Sequence, residues 1–201
     1  LQMEKLKAIN NTHPYVLNSE LTLKKFELEF LFSQKKQWIP EFDDFVAARF
    51  KLMEEFSNNT IVIRNYIGTL TGIIGYRVQL GLSVDGYLEK LQVAIKNNLN
   101  IEDIEAYQAL SELFYNWNSS KLRTLHLIDK YHLRDKQSFA HQWALYMTLI
   151  ATATTKSELN EGINLLKEDK SSLPIYRNKV LEWANEQANK LAERNIVLKS
   201  K

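Results

Sequence analysis

Apolar side chains recur at the three- and four-residue spacing of an α-helix along nearly the whole chain, and little interrupts them. The 201 residues hold six glycines and three prolines, too few for the tight turns of an all-β protein of this length. An all-α chain of about ten helices is the consequence. Hydrophobic residues make up 45% of the chain and charged residues 25%, which excludes a disordered chain, a collagen-like repeat and a membrane bundle.

Polar punctuation places the helices. Residues 1–9 form a first segment, ended by Asn10-Asn11-Thr12-His13-Pro14, where Pro14 biases His13 away from helical geometry. A second covers 19–32. Pro40 stands at the first turn of a third, 41–56, where Glu41, Asp43 and Asp44 suit the positive end of the helix dipole. Asn58-Asn59-Thr60 caps a fourth, 61–80, and Leu82-Ser83-Val84-Asp85 opens a fifth that ends at Asn97. A sixth spans 101–117, and a seventh is capped by Ser119 or Ser120 and ends near Tyr131. An eighth opens at Asp135 and ends near Ala153. A ninth covers 156–167, and Ser171-Ser172 with Pro174 starts a tenth that runs to about Asn195.

Alternate helices in the second half start near residues 83, 119 and 156 in one series and near 101, 135 and 172 in the other. These steps of about 34 to 37 residues suit a helical hairpin that stacks on its own copy. Residues 1–100 have longer steps and read as irregular hairpins, residues 101–201 as more regular ones, within a single all-helical domain. Tyr107 is followed at helical spacing by Leu110, Ser111 and Phe114, and Tyr146 by Leu149, Ile150 and Ala153. Gly162, Leu166 and Pro174 come next. Over residues 104–174 this pattern resembles the tetratricopeptide repeat. The run Leu145-Tyr146-Met147-Thr148-Leu149-Ile150 with Glu158-Leu159 and Leu165-Leu166-Lys167 also resembles its RNA-binding relative, the pentatricopeptide repeat. The resemblance implies stacked helical hairpins (an α-solenoid); a closed helical bundle is the alternative. Residues 175–194 combine the apolar stripe of Ile175, Val180, Leu181, Trp183, Ala184, Ala188 and Leu191 with a broadly polar face, as a capping helix requires.

Catalytic constellations are missing. There are no cysteines, which removes a disulfide scaffold, a thiolate zinc site and a cysteine nucleophile and points to an intracellular, cytoplasmic setting. None of His13, His126, His132 and His141 pairs with another at zinc-binding helical spacing, and the single Asp129-x-x-His132 reads as a cap or surface pair. Asp43-Asp44 lacks the further carboxylate of a magnesium–diphosphate motif, and no Gly-rich phosphate loop or nucleophile elbow occurs. No apolar run reaches the length of a membrane span, and no signal-peptide pattern begins the chain. The chain starts at Leu1 rather than Met, and a preceding segment is expected. The Asn-x-Ser/Thr triplets at Asn10, Asn58 and Asn118 read as chance in an Asn-rich chain.

Gly68, Gly72 and Gly75 share one face of the fourth helix and predict a close approach of another element. Trp117, Trp143 and Trp183 read as packing, and Trp38 as a candidate for a partner surface. The expected function is therefore non-enzymatic binding of a protein or peptide segment in a concave groove, without cofactor or metal, as the sensor or scaffold part of a larger protein. That groove would be lined by Gln108, Glu112, Tyr115 and Asn116 on the sixth helix and by Met147, Ala151 and Thr154 on and after the eighth. RNA binding along Lys121, Arg123, Lys130, Arg134 and Lys136 is the alternative, which the net charge of +2 disfavours. A helical enzyme with dispersed catalytic residues is the third.

Overall fold

Pro14 opens a helix, five residues ahead of the expected start at 19. Its preset φ suits the first helical position, where its missing amide would have no intrahelical partner, and the His13 carbonyl accepts the Val16 and Leu17 amides. The computed structural model describes residues 12–35, 37–169 and 174–199. The expected segment 1–9 and the Ser171-Ser172 start of the last helix lie outside them. Helix α1 is Pro14–Lys35, α2 Glu41–Glu55, α3 Thr60–Gln79, α4 Asp85–Asn97, α5 Ile104–Tyr115, α6 Leu127–Lys130, α7 Phe139–Thr152, α8 Lys156–Glu168 and α9 Pro174–Lys199. Among the described residues there is no strand, and the fold is all-α. The chain divides into two compact units, Leu1–Glu102 and Asp103–Lys201.

In the first unit α1 packs on α2 and α3, α2 on α3, and α3 on α4. Asn59 caps α3 by accepting the Ile61 and Val62 amides on its side-chain oxygen at 3.1 and 3.2 Å. The other end of α3 closes on Gly81, whose φ of +68° places it in the left-handed region. The Gly81 amide reaches the Val78 carbonyl and the Leu82 amide the Arg77 carbonyl, so the last carbonyls are satisfied. Arg49 on α2 is 2% exposed and ties α1 down, donating to the Asn18 carbonyl and side-chain oxygen and to Thr22 Oγ1. Burial pushes its guanidinium down to about 10. Leu28 and Phe32 fill the core, whereas Leu23, Phe26, Phe30 and Leu31 of the same helix remain exposed.

In the second unit α7 is the central element, packed against α5, α8 and α9. Ser138 caps it, its Oγ accepting the His141 amide, so the helix starts at Phe139 rather than at Asp135. Thr155 and Glu158 form a reciprocal capping box at the head of α8. The expected seventh helix is broken. Residues 119–131 hold a 3-10 turn at Leu122–Thr124, an extended Leu125 and the four-residue α6. Ser119 Oγ accepts the Lys121 amide and Thr124 Oγ1 donates to the Lys121 carbonyl, so short polar side chains compete with the helical ladder.

Of the three glycines expected to sit at a close approach on α3, Gly72 does not, and a close approach occurs at Gly162 on α8. A Cβ at Gly72 would meet nothing within 4 Å. A Cβ at Gly162 on α8 would lie 2.9 Å from Ile150 Cγ1 and 3.0 Å from Leu149 Cβ on α7. Gly72→Ala is therefore expected to stabilise by up to about 1 kcal/mol through helix propensity alone. Gly162→Ala is expected to destabilise by about 1–2 kcal/mol, because the overlap outweighs that gain. Chemical denaturation of the two variants measures the difference, and a stabilised Gly162→Ala would disprove the close contact of α7 with α8.

Candidate functional site

The packing face predicted for the second half is buried throughout: Tyr107, Leu110, Phe114, Tyr146, Leu149 and Leu166 all belong to the core. The residues expected on the opposite, open face do not form one surface. Tyr115 is 69% exposed and Gln108 half-buried. Asn116 turns back to close α5, donating from Nδ2 to the Glu112 carbonyl at 2.9 Å. Glu112 receives Lys130 Nζ at 2.5 Å and the Tyr131 hydroxyl at 2.8 Å. Thr154 is exposed, but its amide and hydroxyl both donate to Glu158 Oε2. Met147 and Ala151, expected on an open face, are buried at 1% and 4% exposed. Flanked on several sides, α7 is apolar nearly all round and buried along most of its length, which turns Met147 into the core and leaves Ala151 little surface.

Three of the five cations expected to line an RNA path are paired with carboxylates. Lys130 pairs with Glu112, Arg134 with Glu161 at 2.6 Å and Lys136 with Glu105 at 3.2 Å. Burial pushes the Glu112 carboxyl up, but the hydrogen bonds from Lys130 and Tyr131 and the Lys130 charge outweigh it and hold it below the usual range. The Glu112 hydrogen bond in turn raises Lys130. Glu105 is lowered by its own backbone amide and by Lys136.

Ser138, buried His141 and half-buried Asp103 supply the residue types of a nucleophilic relay. His141 Nδ1 lies 2.9 Å from Ser138 Oγ and 3.2 Å from Asp103 Oδ1. A nucleophilic relay places serine and carboxylate on opposite ring nitrogens. Here both share one nitrogen, so the imidazole cannot pass a proton between them, and the Ser138 hydroxyl is occupied as the cap of α7. Among the described residues no group of three His, Cys, Asp or Glu side chains is arranged to hold a metal ion. His132, the expected partner of Asp129, sits instead 3.6 Å from Asp135.

What the second unit does bring together is a cavity of about 490 Å³, a size that takes a drug-sized ligand. Its aromatic wall is Trp117, just after α5, stacked on Trp183 of α9 with ring centroids 5.1 Å apart and planes at 30°. Phe114 backs Trp117 at 6.0 Å. Polar groups come from Asn118, Ser119 and Ser120 on one side and from Gln187, one turn after Trp183, on the other. Arg123 enters from the 3-10 turn, held by a 3.2 Å hydrogen bond from Nη1 to the Ala153 carbonyl at the end of α7. Ala151 contributes to the lining, alone of the seven residues expected in the groove.

Sequence reasoning assigned Trp117 and Trp183 to packing, and 66 positions separate them along the chain. The available signal was local: Trp117 is followed directly by Asn118-Ser119-Ser120, an aromatic side chain set against short polar ones at a helix end. Trp38, by contrast, rests on Phe42 at 5.2 Å beneath the Arg77 guanidinium, 4.6 Å from its ring. No protein-family model matches the sequence, and no curated protein or solved structure matches it. Among the described residues no helix is long and apolar enough to cross a membrane.

Proposed function

We propose that the chain is a non-enzymatic interaction unit that binds a peptide segment of a partner protein, as the sensor or scaffold part of a larger cytoplasmic protein. The observation that carries this reading is the cavity beside Trp117 and Trp183, where an aromatic wall meets amide and hydroxyl side chains. Indoles give large contact area at low entropy cost, and the Asn118 and Gln187 amides can satisfy both the N–H and C=O groups of an extended backbone.

The stacked-hairpin reading of residues 104–174 belongs to the same proposal. Its support is the contact of Gly162 with Leu149 and Ile150 and the burial of Tyr146, Leu149 and Leu166. The broken segment 119–131 counts against regular repeats in its first half. The ion pairs of Lys130, Arg134 and Lys136 count against RNA, because each cation already has a carboxylate partner.

A display selection of seven-residue random peptides against the chain tests the proposal. The expected result is enriched peptides that bind the purified protein, with affinity at least tenfold lower for Trp183→Ala at unchanged helix content. A selection that enriches nothing, or binders indifferent to Trp183→Ala, would overturn it.

A further inference from the structure

Helix α1 is apolar on two opposite faces. Leu28 and Phe32 lie in the core. Leu23, Phe26 and Phe30, spaced by three and four residues, lie together on the outer side with Leu31 beside them, each between 40% and 56% exposed. Single apolar residues on a surface need no explanation, but a continuous stripe of large ones marks a contact. Two exposed charges border the stripe, Lys24 and Glu27, paired with each other at 3.3 Å within the helix. Their order along the chain, cation before anion, points to the occupant.

We propose that this stripe is the interface of a homodimer, in which α1 of a second copy packs antiparallel on it. A two-fold axis between Phe26 and Glu27 sets Leu23 opposite Phe30 of the second copy and brings the two Phe26 rings side by side. At the helical rise per residue, Lys24 then lies about 3 Å along the axis from Glu27 of the second copy, and the symmetry makes that ion pair twice. A parallel pairing would set Lys24 against Lys24 and Glu27 against Glu27, and such like-charge contacts cost affinity. The internal Lys24–Glu27 pair is exposed and contributes little, so exchanging it for pairs across the interface loses little. A lipid surface would favour cations on both borders of the stripe, whereas Glu27 stands beside its centre. Two to three turns of helix per copy bury less than the about 800 Å² per partner of a standard interface, so the dimer is reversible and grows with protein concentration. The inference concerns the first unit and does not depend on the peptide reading of the cavity.

Sedimentation equilibrium of the whole chain at increasing protein concentration tests the proposal. The average mass is expected to rise from 23.5 kDa toward twice that value. Phe26→Asp should hold the protein at the mass of one chain with unchanged helix content, since that ring is half solvated. Lys24→Glu and Glu27→Lys should each weaken self-association about fivefold or more, and an equimolar mixture of the two variants should recover it. The chain has no cysteine, so single substitutions read the orientation through disulfide formation under mild oxidation. Phe26→Cys should link to itself, and Leu23→Cys should link to Phe30→Cys far faster than to itself. A protein that keeps the mass of one chain at every concentration would overturn the proposal. So would a dimer indifferent to Phe26→Asp, or Leu23→Cys linking to itself as fast as to Phe30→Cys.

Discussion

Truncating Leu149 to alanine is expected to cost about 2–5 kcal/mol, the range for a packed core leucine. Leu149 lies on α7 where α8 comes closest, with the site of a Gly162 Cβ only 3.0 Å from its own Cβ. It is buried, and its carbonyl accepts the Ala153 amide that ends the helix. A cavity there would close poorly, because Gly162 has no side chain to move in and Ile150 is already packed against the same glycine. The loss is therefore placed in the upper half of the range. Urea denaturation of the variant beside the parent measures it. Tyr115→Ala is the control, since that ring is mostly solvated and its removal is expected to change stability by less than about 0.5 kcal/mol. A Leu149→Ala protein as stable as its parent would disprove the α7–α8 contact.

The helical class, and most helix ends, were legible because they are local. Pro40, the Asn59 cap and the Asn98 stop act within one turn of the residues they govern, and α2, α3 and α4 fall within a few positions of their expected bounds. The start of α1 falls at Pro14 rather than at the expected 19, because proline suits a first helical turn as well as a break, and the neighbouring hydrogen bonds decide which. Residues 119–131 misled for a related reason. Their apolar spacing is helical, but Ser119 and Thr124 offer the backbone alternative partners that periodicity does not register. On α7 the positions expected to face outward, Met147 and Ala151, are buried, because packing surrounds most of the helix and single-face periodicity does not register that. The cavity itself was out of reach. It depends on Trp117 meeting Trp183 and on Arg123 reaching Ala153, contacts between distant positions that single-sequence periodicity does not encode.

Phe42→Ala carries the other large effect, in the first unit, with an expected cost of about 3–5 kcal/mol. Phe42 is 0% exposed and sits among three aromatic rings: Phe32 edge-on at 5.9 Å, Trp38 at 5.2 Å and Tyr76 at 6.0 Å. These rings come from α1, the α1–α2 connection and α3, so one side chain holds three elements together. Its removal forfeits burial and three ring contacts, each worth about 0.5–1.5 kcal/mol beyond area. The rest of the cluster cannot collapse freely to refill the space, because Tyr76 is anchored by a 2.7 Å hydrogen bond to Glu29. Phe42→Leu keeps most of the volume and should cost about 1–1.5 kcal/mol. Phe50 lies on the same helix but is partly solvated and touches one ring, Tyr66 at 5.7 Å, so Phe50→Ala should cost about 1 kcal/mol or less. The ordering Phe42→Ala, then Phe42→Leu, then Phe50→Ala in denaturation midpoint is the expected result. If Phe42→Ala were no more costly than Phe50→Ala, the aromatic cluster would not be the element that fastens α1 and α2 to α3.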